Sequence, residues 1–257
     1  MKTAVKNAAV ACLALKERLS RVPMRYLFVL GHMRSGSSLL HHLLVSHPDL
    51  LGCGERNAEY RSTADLHRLT LAARYHRRAF LQPCRYMVDQ INHNQFIPQA
   101  DFLNHPQLWT IFLVREPAGA ISSMVRVLGQ YHGTTLDDAL NHYVGRLQRL
   151  AQYAQTVENS GRAALVVYDD LVDRTEETLA RLQVFLDLEA PLSPHYRLFE
   201  FTGKRGDPGP NIQQGKVHRP GASTAIDIPH LQLARAAAVY EETLEALNPF
   251  RLTTEER

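Results

Sequence analysis

The sequence predicts an α/β protein, a single domain built on a mainly parallel sheet with helices on both faces. Short apolar runs recur along the chain, at Tyr26 to Leu30, Tyr86 to Asp89, Trp109 to Val114 and Ala163 to Tyr168. Such near-continuous runs are what strands covered on both faces require. Segments of helical period separate them, which is the pattern of βα units. The first run passes through a glycine loop directly into one of those helical segments, in VLGHMRSGSSLL, Val29 to Leu40. With 257 residues, 45% hydrophobic and 21% charged, the chain has the composition and size to bury one substantial core.

Ahead of the first strand, MKTAVKNAAVACLALKERL has a positive start and an apolar run, Ala8 to Leu15, that is closed by Lys16, Glu17 and Arg18 without an A-x-A site. A peripheral N-terminal helix over residues 1–24 is a better reading than a signal peptide. No stretch approaches the length of a membrane span. Cys12, Cys53 and Cys84 are an odd number at no metal-ligand spacing, which suits reduced thiols and a cytoplasmic protein that uses no metal. The formal charge of +3 fits an anionic small ligand better than a nucleic acid, which calls for a denser basic stripe.

The loop after the first strand carries the first chemical signal. Gly31 and Gly36 are five apart, with Ser37 and Ser38 directly after, so the frame is that of a P-loop, G-x-x-x-x-G-K-[ST], with Ser37 in place of the lysine. Backbone N–H groups of such a loop and the helix N-terminus behind it surround an anion. The missing lysine argues against an ordinary ATP or GTP site, and the one cation inside the loop is Arg34.

The helix that follows, through Leu39, Leu40, Leu43 and Leu44, ends at His47-Pro48-Asp49. Leu50 to Arg56 reads as a short strand or turn returning near the mouth of the sheet. Residues 57–82, rich in Arg, His and Tyr with Leu66, Leu69, Leu71 and Ala72 at helical spacing, predict a surface helix or a mobile lid. The strand from Trp109 stops at Arg115-Glu116-Pro117, and a helix continues through Ile121, Met124, Val125 and Leu128. Thr135 and Asp138 form a capping box for a long helix through Leu140, Tyr143, Leu147 and Leu150. Thr175 opens a helix through Leu179, Leu182 and Phe185, Leu231 to Leu247 is the last helix, and residues 251–257 are a tail. In parallel sheets of this kind ligands bind outside the carboxyl ends of the strands. Two strands end in arginine-bearing loops, so Arg34 and Arg115 are expected at one edge.

GHMRSGSSLL after one strand and LVREPAGAISS after a later one resemble the two nucleotide-binding signatures of sulfotransferases that use 3′-phosphoadenosine 5′-phosphosulfate (PAPS). The resemblance spans most of residues 25–216 and implies a sulfotransferase fold over 25–250. It implies that Arg34, Ser35, Gly36, Ser37, Ser38 and Leu39 form the 5′-phosphosulfate loop, and that Arg115 and Ser123, eight positions on, hold the 3′-phosphate. FTGKRGDPGPNIQQGKVHRPG reads as a long ordered loop, and GDPGPNIQQGK within it resembles the family's C-terminal cofactor-covering loop, which implies that residues 201–221, with Lys204, Arg205 and Lys216, close over the donor. CGER, Cys53 to Arg56, is similar to the C-G-E-E segment of tyrosylprotein sulfotransferases, whose glutamate is the proposed base, and this puts Glu55 in that role. His93 is the rival, since soluble relatives use a histidine after an interior strand.

One departure stands out. Where many relatives have an Asp-Lys pair, this chain has Asp89-Gln90, and glutamine donates a hydrogen bond but carries no charge. Either Arg34 alone neutralises the leaving phosphate, or Lys204, Arg205 or Lys216 from the late loop does so, or the enzyme is slow. The expected activity is transfer of a sulfuryl group from PAPS to a hydroxyl or amine acceptor, a carbohydrate, a phenol or a peptide tyrosine, leaving adenosine 3′,5′-bisphosphate (PAP). A P-loop phosphotransferase and a non-catalytic module for a bisphosphorylated nucleotide are the alternatives. Ser37 and Ser38 also admit a simpler reading as a helix N-cap pair.

Overall fold

A computed structural model of the protein describes residues 24–204, 207, 209–219 and 226–252. Five strands form one sheet: β1 (Arg25–Leu30), β2 (Leu50–Gly52), β3 (Tyr86–Ile91), β4 (Leu108–Val114) and β5 (Ala163–Val167). Their spatial order is β2-β3-β1-β4-β5, and every pairing is parallel. The helices are α1 (Ser37–Val45), α2 (Thr63–Arg77), α3 (Pro117–Ser123), α4 (Leu136–Thr156), α5 (Tyr168–Asp173), α6 (Thr175–Phe185) and α7 (His230–Leu247). Beyond α3 the chain runs through a π-helical turn, Met124–Leu128, and a last α turn, Gly129–His132.

The core lies on both faces of the sheet because consecutive strand side chains point to opposite sides. In β1, Tyr26, Phe28 and Leu30 join one apolar cluster with Leu66 and Leu69 of α2, Ile121 of α3, Leu147 and Leu150 of α4 and Leu247 of α7. Leu27 and Val29 join the other, with Leu40, Leu43 and Leu44 of α1, Leu171 of α5 and Leu179 and Leu182 of α6. β1 is buried along almost its whole length, so its sequence shows a continuous apolar run and no alternation.

Most element boundaries agree with the sequence reading, and the Thr135 and Asp138 side chains make the expected capping box on α4. Two segments differ. The stretch read as a surface helix or lid contains α2, which buries Leu66, Leu69 and Ala73 against the sheet; its high Arg and His content masks a narrow apolar stripe. Tyr168, read as the end of a strand, begins α5. The N-terminal helix expected over residues 1–24 and the tail over 251–257 fall almost wholly outside the described residues, as do Arg205 and parts of the 201–221 loop.

The strand order reverses at β1, whose neighbours are β3 on one side and β4 on the other. The loops leaving β1, β3 and β4 therefore emerge side by side at the carboxyl edge, and the loop leaving β2 lies next to that of β3. That adjacency assembles a site from segments distant in the chain.

Candidate active site

The loop after β1 bends sharply enough to present its backbone outward. Arg34 sits in the left-handed region at φ +64° and Gly36 at φ +94°. A side chain at position 36 is excluded twice, by that backbone angle and by the Tyr168 ring, whose nearest carbon would lie 2.5 Å from an added Cβ. Ser35 N–H returns to His32 O, and Leu40 N–H closes the first turn of α1 onto Gly36 O. The N–H groups of the residues between belong to the first turn of the helix, which has no intrahelical acceptors to offer them. They face a cleft of about 660 Å³.

The two arginine loops interlock. Arg34 donates from Nε to Ser123 Oγ at 3.0 Å, while Arg115 donates from Nη1 to Arg34 O at 3.2 Å. The Arg115 guanidinium lies 4.1 Å from the Tyr168 ring centroid, a cation–π contact on the ring that also packs on Gly36. Ser123, expected beside Arg115, is thus bonded to Arg34 instead. Glu116 accepts a hydrogen bond from Gly119 N–H at 2.6 Å and caps α3, with Pro117 as its first helical residue.

Three residues that sequence reasoning missed hold these loops. His32 Nε2 accepts from Arg115 N–H at 3.1 Å, and Tyr143 donates its hydroxyl to Arg115 O at 2.7 Å. Both backbone groups of Arg115 are therefore pinned. Burial lowers the His32 pKa to about 4, so the ring stays neutral, with Nδ1–H donating to Met33 O and Nε2 left as acceptor. Arg146 of α4 is fully buried and reaches three acceptors at the strand ends: Gly31 O at 2.8 Å, Ile91 O at 2.7 Å and Asn94 Oδ1 at 2.9 Å. It ties the carboxyl ends of β1 and β3 together. Its only sequence signal was an arginine falling in the apolar stripe of α4, between Tyr143 and Leu150.

Glu55 and His93 both line the cleft, together with Arg34, Arg115, Ser123 and Lys216. Glu55 Oε1 accepts from Asn92 Nδ2 at 3.3 Å. Burial first, and the Asp89 charge second, push its pKa up to about 7, against the Asn92 hydrogen bond and the Arg146 charge. His93 stacks edge-on against His142 and Phe96, and burial followed by the Arg146 charge lowers its pKa. Both groups can accept a proton at neutral pH.

The late loop reaches the same place by a different residue. Asp207 pairs with Arg34, Oδ1 to Nη1 at 2.6 Å, and its N–H donates to Ser38 Oγ at 2.9 Å. Lys216 borders the cleft, whereas Lys204 is exposed on a turn and is not among its lining residues. Gln90 is buried beneath α1, with Nε2 3.5 Å from Ser38 Oγ. It meets the start of α1 through a neutral contact where a lysine would bring charge. Ser37 and Ser38 open α1, Leu39 lines the cleft, and Ser35 is buried with no partner for its hydroxyl among the described residues.

Residues 27–100 and 100–192 match the sequence model described as the Sulfotransferase family. The fold is similar to the sulfotransferase domain from the Synechococcus PCC 7002 olefin synthase, with a TM-score of 0.58 at 20% identity over 86% of this chain and 96% of that one. It is also similar to the sulfotransferase domain from the curacin biosynthetic pathway, TM-score 0.50 at 18% identity over 89% and 98% of the two chains. A sulfotransferase from Alicyclobacillus acidocaldarius gives 0.50 at 12% identity over 88% and 95%. No curated protein matches the chain in sequence.

Proposed function

Because the chain belongs to the sulfotransferase family, and is thereby an enzyme of sulfuryl transfer, we propose that its donor is PAPS and its acceptor a hydroxyl group deprotonated by Glu55. The observation that carries this reading is the pairing of two arginine loops with a helix N-terminus and a half-buried carboxylate on one cleft. PAPS has two separate anionic ends, and Arg34 and Arg115 supply two separate cations. The donor set therefore fits the group: guanidinium and ammonium charges, serine hydroxyls and helix-terminal N–H groups are the ligands of phosphate and sulfate oxygens.

Sulfuryl transfer, like phosphoryl transfer, asks the protein to position the reactants and stabilise charge. The acceptor oxygen forms a bond to sulfur as the bond from sulfur to the 5′-phosphate oxygen breaks, and the acceptor proton passes to the Glu55 carboxylate. Arg34 and the N-terminal N–H groups of α1 stabilise the leaving oxygen. Lys216 is the ammonium nearest to hand for the charge that Gln90 lacks, and it belongs to a segment, residues 201–221, that we assign to covering the donor. No helix among the described residues is long and apolar enough to cross a membrane; we assign a cytoplasmic setting on the odd number and spacing of the cysteines in the sequence.

Incubation with labelled PAPS and a panel of phenols, carbohydrates and tyrosine peptides tests the activity, and transfer to at least one hydroxyl acceptor is expected. Calorimetry with PAP tests the donor site, and no binding by the folded protein would sink the PAPS assignment. Arg115→Ala is expected to weaken PAP binding by about 1.5–3 kcal/mol, the range of a charge-assisted contact, or about 10- to 150-fold. An unchanged affinity removes Arg115 from the 3′-phosphate site.

A further inference from the structure

Asp89 lies under the cleft, and no step described above uses it. It is the fourth residue of β3 and is almost fully buried. Oδ2 accepts from the Tyr60 hydroxyl at 2.5 Å, and Oδ1 accepts from the backbone N–H groups of Arg56 at 3.3 Å and Gln90 at 2.9 Å. A charged carboxylate inside a sheet is costly unless its hydrogen bonds are made, and here both oxygens are engaged. No ion pair within 4 Å compensates it among the described residues. The Arg56 guanidinium goes to Tyr60 Oη, at 3.4 Å.

The placement of these bonds matters more than their number. Arg56, whose N–H Asp89 accepts, directly follows Glu55. Gly54, directly before it, donates its N–H to His41 Nε2 at 3.2 Å. The His41 ring fits against Gly52, where an added Cβ would lie 2.6 Å from Cε1. Gly54 itself has φ +80°. The backbone on each side of Glu55 is thus fastened to a different buried side chain, one from α1 and one from β3.

We propose that Asp89 is the positioning residue of the general base: it holds the Glu55 segment through the Arg56 N–H and through Tyr60, which the Arg56 guanidinium also meets. This rests on the reading of Glu55 as the base. The groups that bear on Glu55 are Asp89 from β3, Asn92 just beyond it and Arg146 from α4; those that bear on Asp89 are Tyr60, Arg56 and the Gln90 N–H. Burial raises the Asp89 pKa to about 6, while the Tyr60 hydrogen bond, the Arg56 charge and the two N–H bonds restrain it. These contacts favour the charged form of Asp89. When Glu55 takes the acceptor's proton, repulsion between the buried Asp89 and half-buried Glu55 carboxylates is relieved, which favours the transfer.

Asp89→Asn is the test, because the amide is isosteric and can be satisfied. Its oxygen keeps the two backbone N–H groups and its NH₂ donates to Tyr60 Oη. The Glu55 carboxyl is followed by ¹³C NMR as pH is varied, alongside the pH profile of kcat. The expected result is that the Glu55 titration and the acid limb of kcat both move to lower pH by about one unit, as for removal of a like charge, with the donor KM unchanged. A Glu55 titration that stays in place overturns the proposal. If it stays in place while Glu55→Gln still abolishes turnover, the base assignment survives and only the role of Asp89 falls. If Glu55→Gln retains full turnover, the base assignment falls and the proposal with it, whatever the NMR titration shows. Should Asp89→Asn fail to fold, Tyr60→Phe reads the same coupling: loss of its hydroxyl raises the Asp89 proton affinity and moves the acid limb the same way by less. An unmoved limb in Tyr60→Phe overturns the proposal equally.

Discussion

Glu55→Gln is expected to lower turnover by about 10²- to 10⁴-fold, the usual contribution of a positioned general base, with PAP affinity nearly unchanged. The glutamine keeps the shape and can still accept the Asn92 hydrogen bond, so the loss isolates proton transfer. The same substitution reports on stability with a definite sign. In the folded chain the Glu55 pKa stands at about 7, above its ordinary value of 4.5. The folded state thus binds that proton more tightly than the unfolded state, and the stability this contributes is full below pH 4.5 and lost as pH rises through about 7. The variant never incurs that loss. Relative to wild type it should gain about 1–3 kcal/mol between pH 5 and pH 8, allowing for partial exposure of the carboxyl. Urea denaturation of both proteins at the two pH values measures it. Full turnover in Glu55→Gln together with an inactive His93→Ala moves the base to His93, whose neutral ring borders the same cleft.

Arg34→Ala is expected to cost about 10³- to 10⁵-fold in turnover, as for an arginine that meets charge developing in a transferred group. Three contacts explain the size of the effect. The Arg34 guanidinium bonds Ser123 and Asp207, and the Arg34 carbonyl receives Arg115, so Arg34 joins the loops after β1 and β4 to the late loop. Removing it also leaves the Asp207 carboxylate uncompensated at the N-terminus of α1, beside Ser38. Donor affinity should fall as well, through repulsion. The double variant Arg34→Ala/Asp207→Ala separates the two effects: it should regain part of the PAP affinity and none of the turnover. Arg34→Lys retains charge but loses the fork that serves Ser123 and Asp207 together, and an intermediate rate is expected. Turnover within tenfold of wild type in Arg34→Ala would exclude Arg34 from the transferring centre.

Both predictions draw on residues the sequence made visible, but the reasons for their strength are tertiary. The glycine loop, Arg34, Arg115, the capping box at Thr135 and the strand–helix alternation are local patterns. A turn that needs φ above zero, an anion that needs a helix N-terminus and a strand buried on both faces each leave their mark within a dozen residues. The parallel α/β architecture and the carboxyl-edge location of the site follow from those marks alone. The segment 57–82 was legible as a helix, and less so as a packed one, because its basic residues outnumber the apolar stripe that α2 buries.

What only the folded chain decided is which distant groups meet. Arg146 clamps the ends of β1 and β3, His32 and Tyr143 pin the Arg115 backbone, Asp207 reaches Arg34, and Asp89 comes to lie against the Glu55 segment. These partners are 28 to 173 residues apart, and no local periodicity encodes such pairings. They arise because β1 lies between β3 and β4, which turns four separate loops into one wall. Burial at that wall then sets the proton affinities. A sequence can show a glutamate near a glycine, but the desolvation and the neighbouring Asp89 charge that push the Glu55 pKa up to about 7 exist only once the strands are side by side.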